Sequence, residues 1–168
     1  MEIYWDKLGF GKDYLYIAAT SGALIYLGGP NETFEDMQNW LAKHFTEYEL
    51  VQDEQQLKPY TNELNAYFDG ELQVFGLPIH LIGTDFQLAV WDELQKIPFG
   101  ETVSYSRIAE GIGKLSAVRA VGGAIRVNPI MVVVPCHRVI GKNGKLTGFR
   151  GGMEMKEYLL TLEGVRYS

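Results

Sequence analysis

The sequence predicts an α+β fold in two parts: an acidic α+β domain over residues 1–84, then a mostly helical domain over residues 85–168 carrying a helix-turn-helix. Three observations carry this. The first part combines one hairpin pattern with two helical ones. The second gives helical patterns around a single short apolar run. The charge changes sign between them, from 4 Lys and no Arg against 13 acids to 11 Lys or Arg against 8 acids. The chain has 168 residues, 46% of them hydrophobic and 21% charged, enough for one substantial core but not for several large domains.

Elements of the first part follow from local pattern. Alternating apolar residues through Tyr14–Ala19, a turn at Thr20–Gly22 and a second run at Ala23–Leu27 read as a hairpin. Helical spacing then recurs around Phe34, Met37, Trp40 and Leu41, and again around Leu57, Tyr60, Leu64, Tyr67 and Phe68, where Asp69-Gly70 stops it. Leu77–Gly83 reads as a last strand or a connector, and the boundary falls after it.

In the second part Phe86, Val90, Trp91 and Leu94 share a helix face. Ser104 can cap a helix burying Ile108, Ala109 and Ile112, which Gly111 and Gly113 end. Ser116 can cap another, running to Arg126, with Val118, Val121 and Ile125 inward and Ser116, Arg119, Gly123 and Arg126 outward. Two short helices and a tight turn make a helix-turn-helix. Gly122 and Gly123 each cost about 1 kcal/mol relative to Ala inside a helix, and with Ala117, Ala120 and Ala124 they leave its surface nearly bare. Such a surface suits tight packing against a neighbouring helix or close approach to nucleic acid, and the outward arginines favour the latter.

Ile130–Val134 is apolar throughout and reads as a strand buried on both faces, ended by Pro135. Cys136 follows, with His137 and Arg138 behind it. A thiol held there is either a buried structural cysteine or a nucleophile whose pKa a nearby imidazole and guanidinium lower. Adjacent strand residues point to opposite faces, so cooperation between Cys136 and His137 needs a turn after Pro135. A helix over Met153–Leu162 has Met155, Leu159 and Leu162 as its stripe. Glu163 extends that stripe, either as a carboxylate orienting the histidine or as a helix-end group in solvent. Between them lie the turn Gly141–Gly144 and the glycine-rich loop Leu146–Gly152, a lid for a planar ligand or a plain connector.

Charge and cysteine usage exclude other classes. The net charge of −6 argues against a polyanionic partner taken whole, yet residues 101–150 hold 8 basic residues and 2 acids, a block able to meet phosphate. One Cys permits neither an internal disulfide nor a Cys-rich zinc site. No apolar run reaches membrane-spanning length, and MEIYWDKLGF carries acid where a signal peptide carries base and then apolar residues, so the chain reads as cytoplasmic. A monomer is the default expectation.

Taken together, Pro135-Cys-His-Arg-Val139, Arg126-Val-Asn-Pro129 and Arg119-Ala-Val-Gly-Gly123 resemble the active-site region of the O6-methylguanine-DNA methyltransferases. So do Ile97-Pro-Phe-Gly-Glu-Thr102, Ser104-Tyr105, Leu146-Thr-Gly148, Gly151-Gly152, and Lys156 with Leu159-Leu160 and Leu162-Glu-Gly164. The resemblance covers residues 86–164 almost continuously. It implies a ribonuclease-H-like N-terminal domain and a cofactor-free, single-use transfer of a methyl group from O6 of guanine, and from O4 of thymine, onto Cys136. It further implies that His137 takes the thiol proton through a water, that Glu163 supports the imidazole, and that Asn128 ties the active-site turn to the DNA-binding helices. The same resemblance implies that the target base is extruded from double-stranded DNA, that the helix bearing Ser116, Ala117, Arg119, Gly123 and Arg126 enters the minor groove, and that Arg119 fills the vacated stack. It also implies that Tyr105 crowds the phosphate and bonds the base, and that backbone groups near Val139 and Arg150 read the base edge.

The chain departs from that pattern at Phe149, where many relatives carry Tyr, and at Arg150, where they carry a small residue. A cation at position 150 either narrows the pocket or contacts phosphate. The zinc site of some relatives cannot be carried over, because its cysteines are missing. Two rival readings use the same residues: a noncatalytic sensor of alkylated DNA, in which relatives replace the cysteine, and a cysteine hydrolase. The first is at odds with Cys136, and the second leaves the bare helix and Arg119 unexplained.

Overall fold

The computed structural model describes residues 1–167, which divide into two compact units, Met1–Ile82 and Gly83 onward. The division falls two residues before the boundary read from sequence. Thr84 already belongs to the second unit because its side chain caps the helix that follows, accepting from the Gln87 amide at 3.1 Å. Gly83 packs against Trp91, where a β-carbon would sit 2.6 Å from the indole ring.

The first unit is a four-stranded sheet with β1 (Glu2–Phe10), β2 (Asp13–Ala19), β3 (Leu24–Leu27) and β4 (Glu49–Gln52), in the order β3-β2-β1-β4. The first three strands form an antiparallel meander, and β4 joins β1 in parallel. Helix α1 (Phe34–His44) opens with a Thr33–Asp36 capping box and packs Met37 and Leu41 onto Ile3, Ala18 and Ile25. Helix α2 (Glu54–Phe68) lies on the other face, burying Leu57, Tyr60, Leu64 and Tyr67 and setting Phe68 against Phe10.

The hairpin and both helices stand where the pattern predicts them, whereas β1 and β4 escape it. In β1 the inward residues change parity along the strand, from Ile3 and Trp5 under α1 to Leu8 and Phe10 under α2, so no single alternation runs through it. Leu77–Gly83 is a connector that meets the sheet through a bridge between Ile79 and Leu24.

The second unit contains α3 (Asp85–Gln95), β5 (Val103–Ser104), α4 (Tyr105–Gly111), α5 (Val118–Arg126), β6 (Val139–Ile140) and α6 (Met153–Leu162). Val90, Trp91 and Leu94 bury the inner face of α3, and the Trp91 indole donates to the Ala124 carbonyl at 2.9 Å, fixing α3 to α5. Ser104 caps α4 as predicted, accepting from the Arg107 amide at 3.1 Å. Ser116 does not cap α5. It lies exposed in the 3-10 turn Leu115–Ala117, and α5 begins two residues later, with Ala117 at its cap and no side-chain bond there.

Ile130–Val134 is likewise not a strand. The segment is a buried turn in which the Val134 amide donates to the Ile130 carbonyl at 3.1 Å and Val132 takes the left-handed conformation at φ 70°. The run is apolar because it is enclosed, and a short run without periodicity does not distinguish strand from turn. The left-handed β-branched residue is a costly conformation that the surrounding core enforces. Among the described residues no helix is long and apolar enough to cross a membrane.

Candidate active site

The buried turn delivers Cys136 into a one-turn 3-10 helix, Cys136–Arg138, behind Pro135. Three residues per turn send successive side chains in different directions. Cys136 faces a cleft of about 230 Å³, whose walls include Tyr105 of α4, Arg126 of α5 and the loop Thr147–Arg150. His137 and Arg138 point away from it, onto Glu163 at the end of α6. The turn thus supplies the reorientation that a strand could not.

Glu163 is buried, and its carboxylate is held by His137, Arg138 and the Gly100 amide. His137 Nε2 lies 2.8 Å from Oε2, Arg138 Nε and Nη2 donate at 2.8 and 2.9 Å, and the Gly100 amide donates to Oε1 at 3.1 Å. Arg138 Nη1 donates to the Ile97 carbonyl at 2.6 Å. Burying a carboxylate is tolerable only with such pairing. Burial lowers the pKa of His137 while the Glu163 hydrogen bond and charge oppose it. With Nε2–H directed at Glu163, the neutral ring offers Nδ1 as its acceptor, and Nδ1 is buried without a partner among the described residues.

Cys136 is 3% exposed, and burial pushes its thiol pKa up. The Asn128 hydrogen bond, then Arg150 and Lys156, pull the other way. The guanidinium expected to act on the thiol, that of Arg138, is engaged with Glu163. Asn128 knits the turn together: its Nδ2 donates to the Val134 carbonyl at 2.9 Å, its Oδ1 accepts from the Ile130 amide at 3.0 Å, and its own amide donates to the Ile125 carbonyl of α5 at 3.2 Å. Arg150 crosses from the loop to the Asn128 carbonyl.

Of the residues read from sequence, Cys136, Tyr105, Arg126 and Arg150 share the cleft, with His137, Glu163 and Asn128 behind it. Val139 does not line it, and its carbonyl accepts from Lys156 Nζ at 2.7 Å. Ser116, Arg119 and Gly123 are exposed along the start and outer face of α5, and Ala117 is half-buried at its cap. The sequence reading gave no role to Lys156, 1% exposed, or to Thr147, whose hydroxyl lies 2.7 Å from that of Tyr105. Lys156 stands seven residues, about two turns, before Glu163, but a lysine beside the stripe Met155, Leu159 and Leu162 carries no signal that separates it from a solvent-facing flank.

Residues 85–165 match the family described as 6-O-methylguanine DNA methyltransferase, DNA binding domain. The chain is 50% identical over 161 residues to an inducible methylated-DNA–protein-cysteine methyltransferase of Bacillus subtilis, covering 96% of this chain and 90% of that one. The structure superposes on the O6-methylguanine methyltransferase of Mycobacterium tuberculosis with a TM-score of 0.83 at 40% identity, covering 96% and 92% of the two chains. It superposes on the Mycobacterium tuberculosis OGT in complex with DNA with a TM-score of 0.81 at 39% identity, covering 97% and 92%. A lone thiol on a cleft, backed by a buried histidine and carboxylate, and a likeness running nearly the whole length of both chains together make this protein a member of the methylated-DNA–protein-cysteine methyltransferase family.

Proposed function

We propose that the protein repairs DNA by direct reversal, with Cys136 taking a methyl group from O6 of guanine, and from O4 of thymine, in a base extruded from the duplex. The observation that carries this is the chain of buried groups behind the thiol. Glu163 holds the neutral imidazole, whose orphaned Nδ1 is the base that accepts the Cys136 proton through a water. The sulfur then attacks the methyl carbon, the carbon–O6 bond breaks, and its electron pair returns to guanine, which takes up one proton to leave in its ordinary form. The thioether has no easy return path, so each molecule reacts once.

Recognition follows from the second helix of the helix-turn-helix. Gly123 leaves the outer face of α5 bare and Arg119 and Arg126 are exposed there, a surface suited to the minor groove. Arg119 fills the space that the base vacates. Tyr105 contacts the base in the cleft, and backbone groups near Arg150 read its edge. Arg150, bonded inward to Asn128, narrows the cleft rather than reaching for phosphate. A single nucleophilic thiol suits a monomer working in the reducing cytoplasm.

Incubation with a duplex carrying a labelled O6-methylguanine tests this. The wild type is expected to retain the label and to gain the mass of one CH2, H being replaced by CH3. Cys136→Ser is expected to bind the duplex without acquiring label. Label on the Ser variant overturns the nucleophile. Loss of the lesion without mass gain by the wild type overturns the reaction.

A further inference from the structure

Tyr105 is the first residue of α4, and its ring stands in the wall of the cleft. Its hydroxyl is 2.7 Å from Thr147 Oγ1. Behind Thr147 lies Lys156, whose Nζ is 3.4 Å from the same Oγ1, 3.5 Å from the Thr147 carbonyl and 2.7 Å from the Val139 carbonyl. Three hydroxyl or ammonium groups from three separate elements therefore form a line running from the core to the cleft.

The line has a direction. An ammonium only donates, so Thr147 Oγ1 accepts from Lys156 and its own hydrogen can serve Tyr105. Tyr105, accepting from Thr147, has its hydrogen left for the cleft. Each bond in such a chain polarises the next, most strongly where the first donor is a buried cation. We infer that Thr147 is a positioning residue, which passes the polarity of the buried Lys156 ammonium to Tyr105 and so turns the Tyr105 hydroxyl into a donor aimed at an acceptor atom of the extruded guanine. The inference rests on the reading of Tyr105 as a base contact. Burial brings the Lys156 pKa down to about 8, so the ammonium that heads the line keeps its proton at neutral pH.

Thr147→Val keeps the shape and removes the hydroxyl, and Thr147→Ser restores the hydroxyl. Single-turnover rates on methylated duplex are measured for both, for Tyr105→Phe, and for the Tyr105→Phe/Thr147→Val double variant. Thr147→Val is expected to slow transfer about three- to tenfold, the worth of one hydrogen bond. Thr147→Ser is expected to recover the wild-type rate to within about twofold. In the Tyr105→Phe background Thr147→Val is expected to have no further effect. A Thr147→Val effect of the same size in both backgrounds, or failure of Thr147→Ser to rescue, makes Thr147 merely structural and overturns the relay while Tyr105 keeps its role. A Tyr105→Phe variant as fast as wild type removes the role of Tyr105 and the relay with it.

Discussion

Lys156 and Glu163 stand about two turns apart on α6 and its cap, yet only the acid was legible in the sequence. Glu163 stood out because a carboxylate continuing an apolar stripe beside a candidate histidine has an evident use. Lys156 reads as a flanking surface residue, since a buried lysine is rare and its partners, the Val139 and Thr147 carbonyls and the Thr147 hydroxyl, are ones that no pattern announces. Its pKa makes it testable. The folded value, about 8, lies below the ordinary 10.5, so between those limits the unfolded chain holds more of this proton and stability rises with pH. At neutral pH both states carry the proton and the burial cost is fully present. Denaturant unfolding is therefore expected to show the wild type gaining about 3 kcal/mol relative to Lys156→Met between pH 8 and 10.5, a slope absent from the variant.

Elements were legible where one pattern governed them from end to end. Helix α6 occupies Met153–Leu162, the span its stripe defines, and α4 begins behind the serine that caps it. The failures have definite causes. Strand β1 serves two helices on opposite faces, and the segment Ile130–Val134 turns inside the core, held by the Asn128 side chain. Helix α5 keeps two glycines that its fold does not require. A β-carbon at Gly123 meets nothing within 4 Å, so Gly123→Ala is expected to stabilise the protein by about 1 kcal/mol in thermal unfolding. The same change is expected to weaken binding to duplex DNA in a fluorescence-anisotropy titration, because the added methyl stands on the exposed face of α5 proposed to enter the groove. A gain in stability with unchanged affinity would put the contact elsewhere.

At the scale of the whole molecule, the contrast in charge between the two halves is legible in the sequence, but not which cations face outward. Of the eight basic residues between 101 and 150, Arg138 is buried against Glu163 and Arg150 turns inward to Asn128. Arg107, Lys114, Arg119, Arg126, Lys142 and Lys145 are exposed, and these are the ones open to a polyanion. Binding to undamaged duplex is expected to fall steeply with salt, and Arg119→Ala or Arg126→Ala is expected to reduce the log–log salt slope by about 1 each. An unchanged slope for both variants would remove α5 from the phosphate contacts.

A protein that works once has to remain intact while it waits. Oxidants and stray electrophiles consume thiols in proportion to their ionised fraction and their accessibility, and Cys136 is enclosed with its pKa driven upward. A low ionised fraction and low exposure slow those side reactions at Cys136 and so spare the one thiol that the transfer consumes.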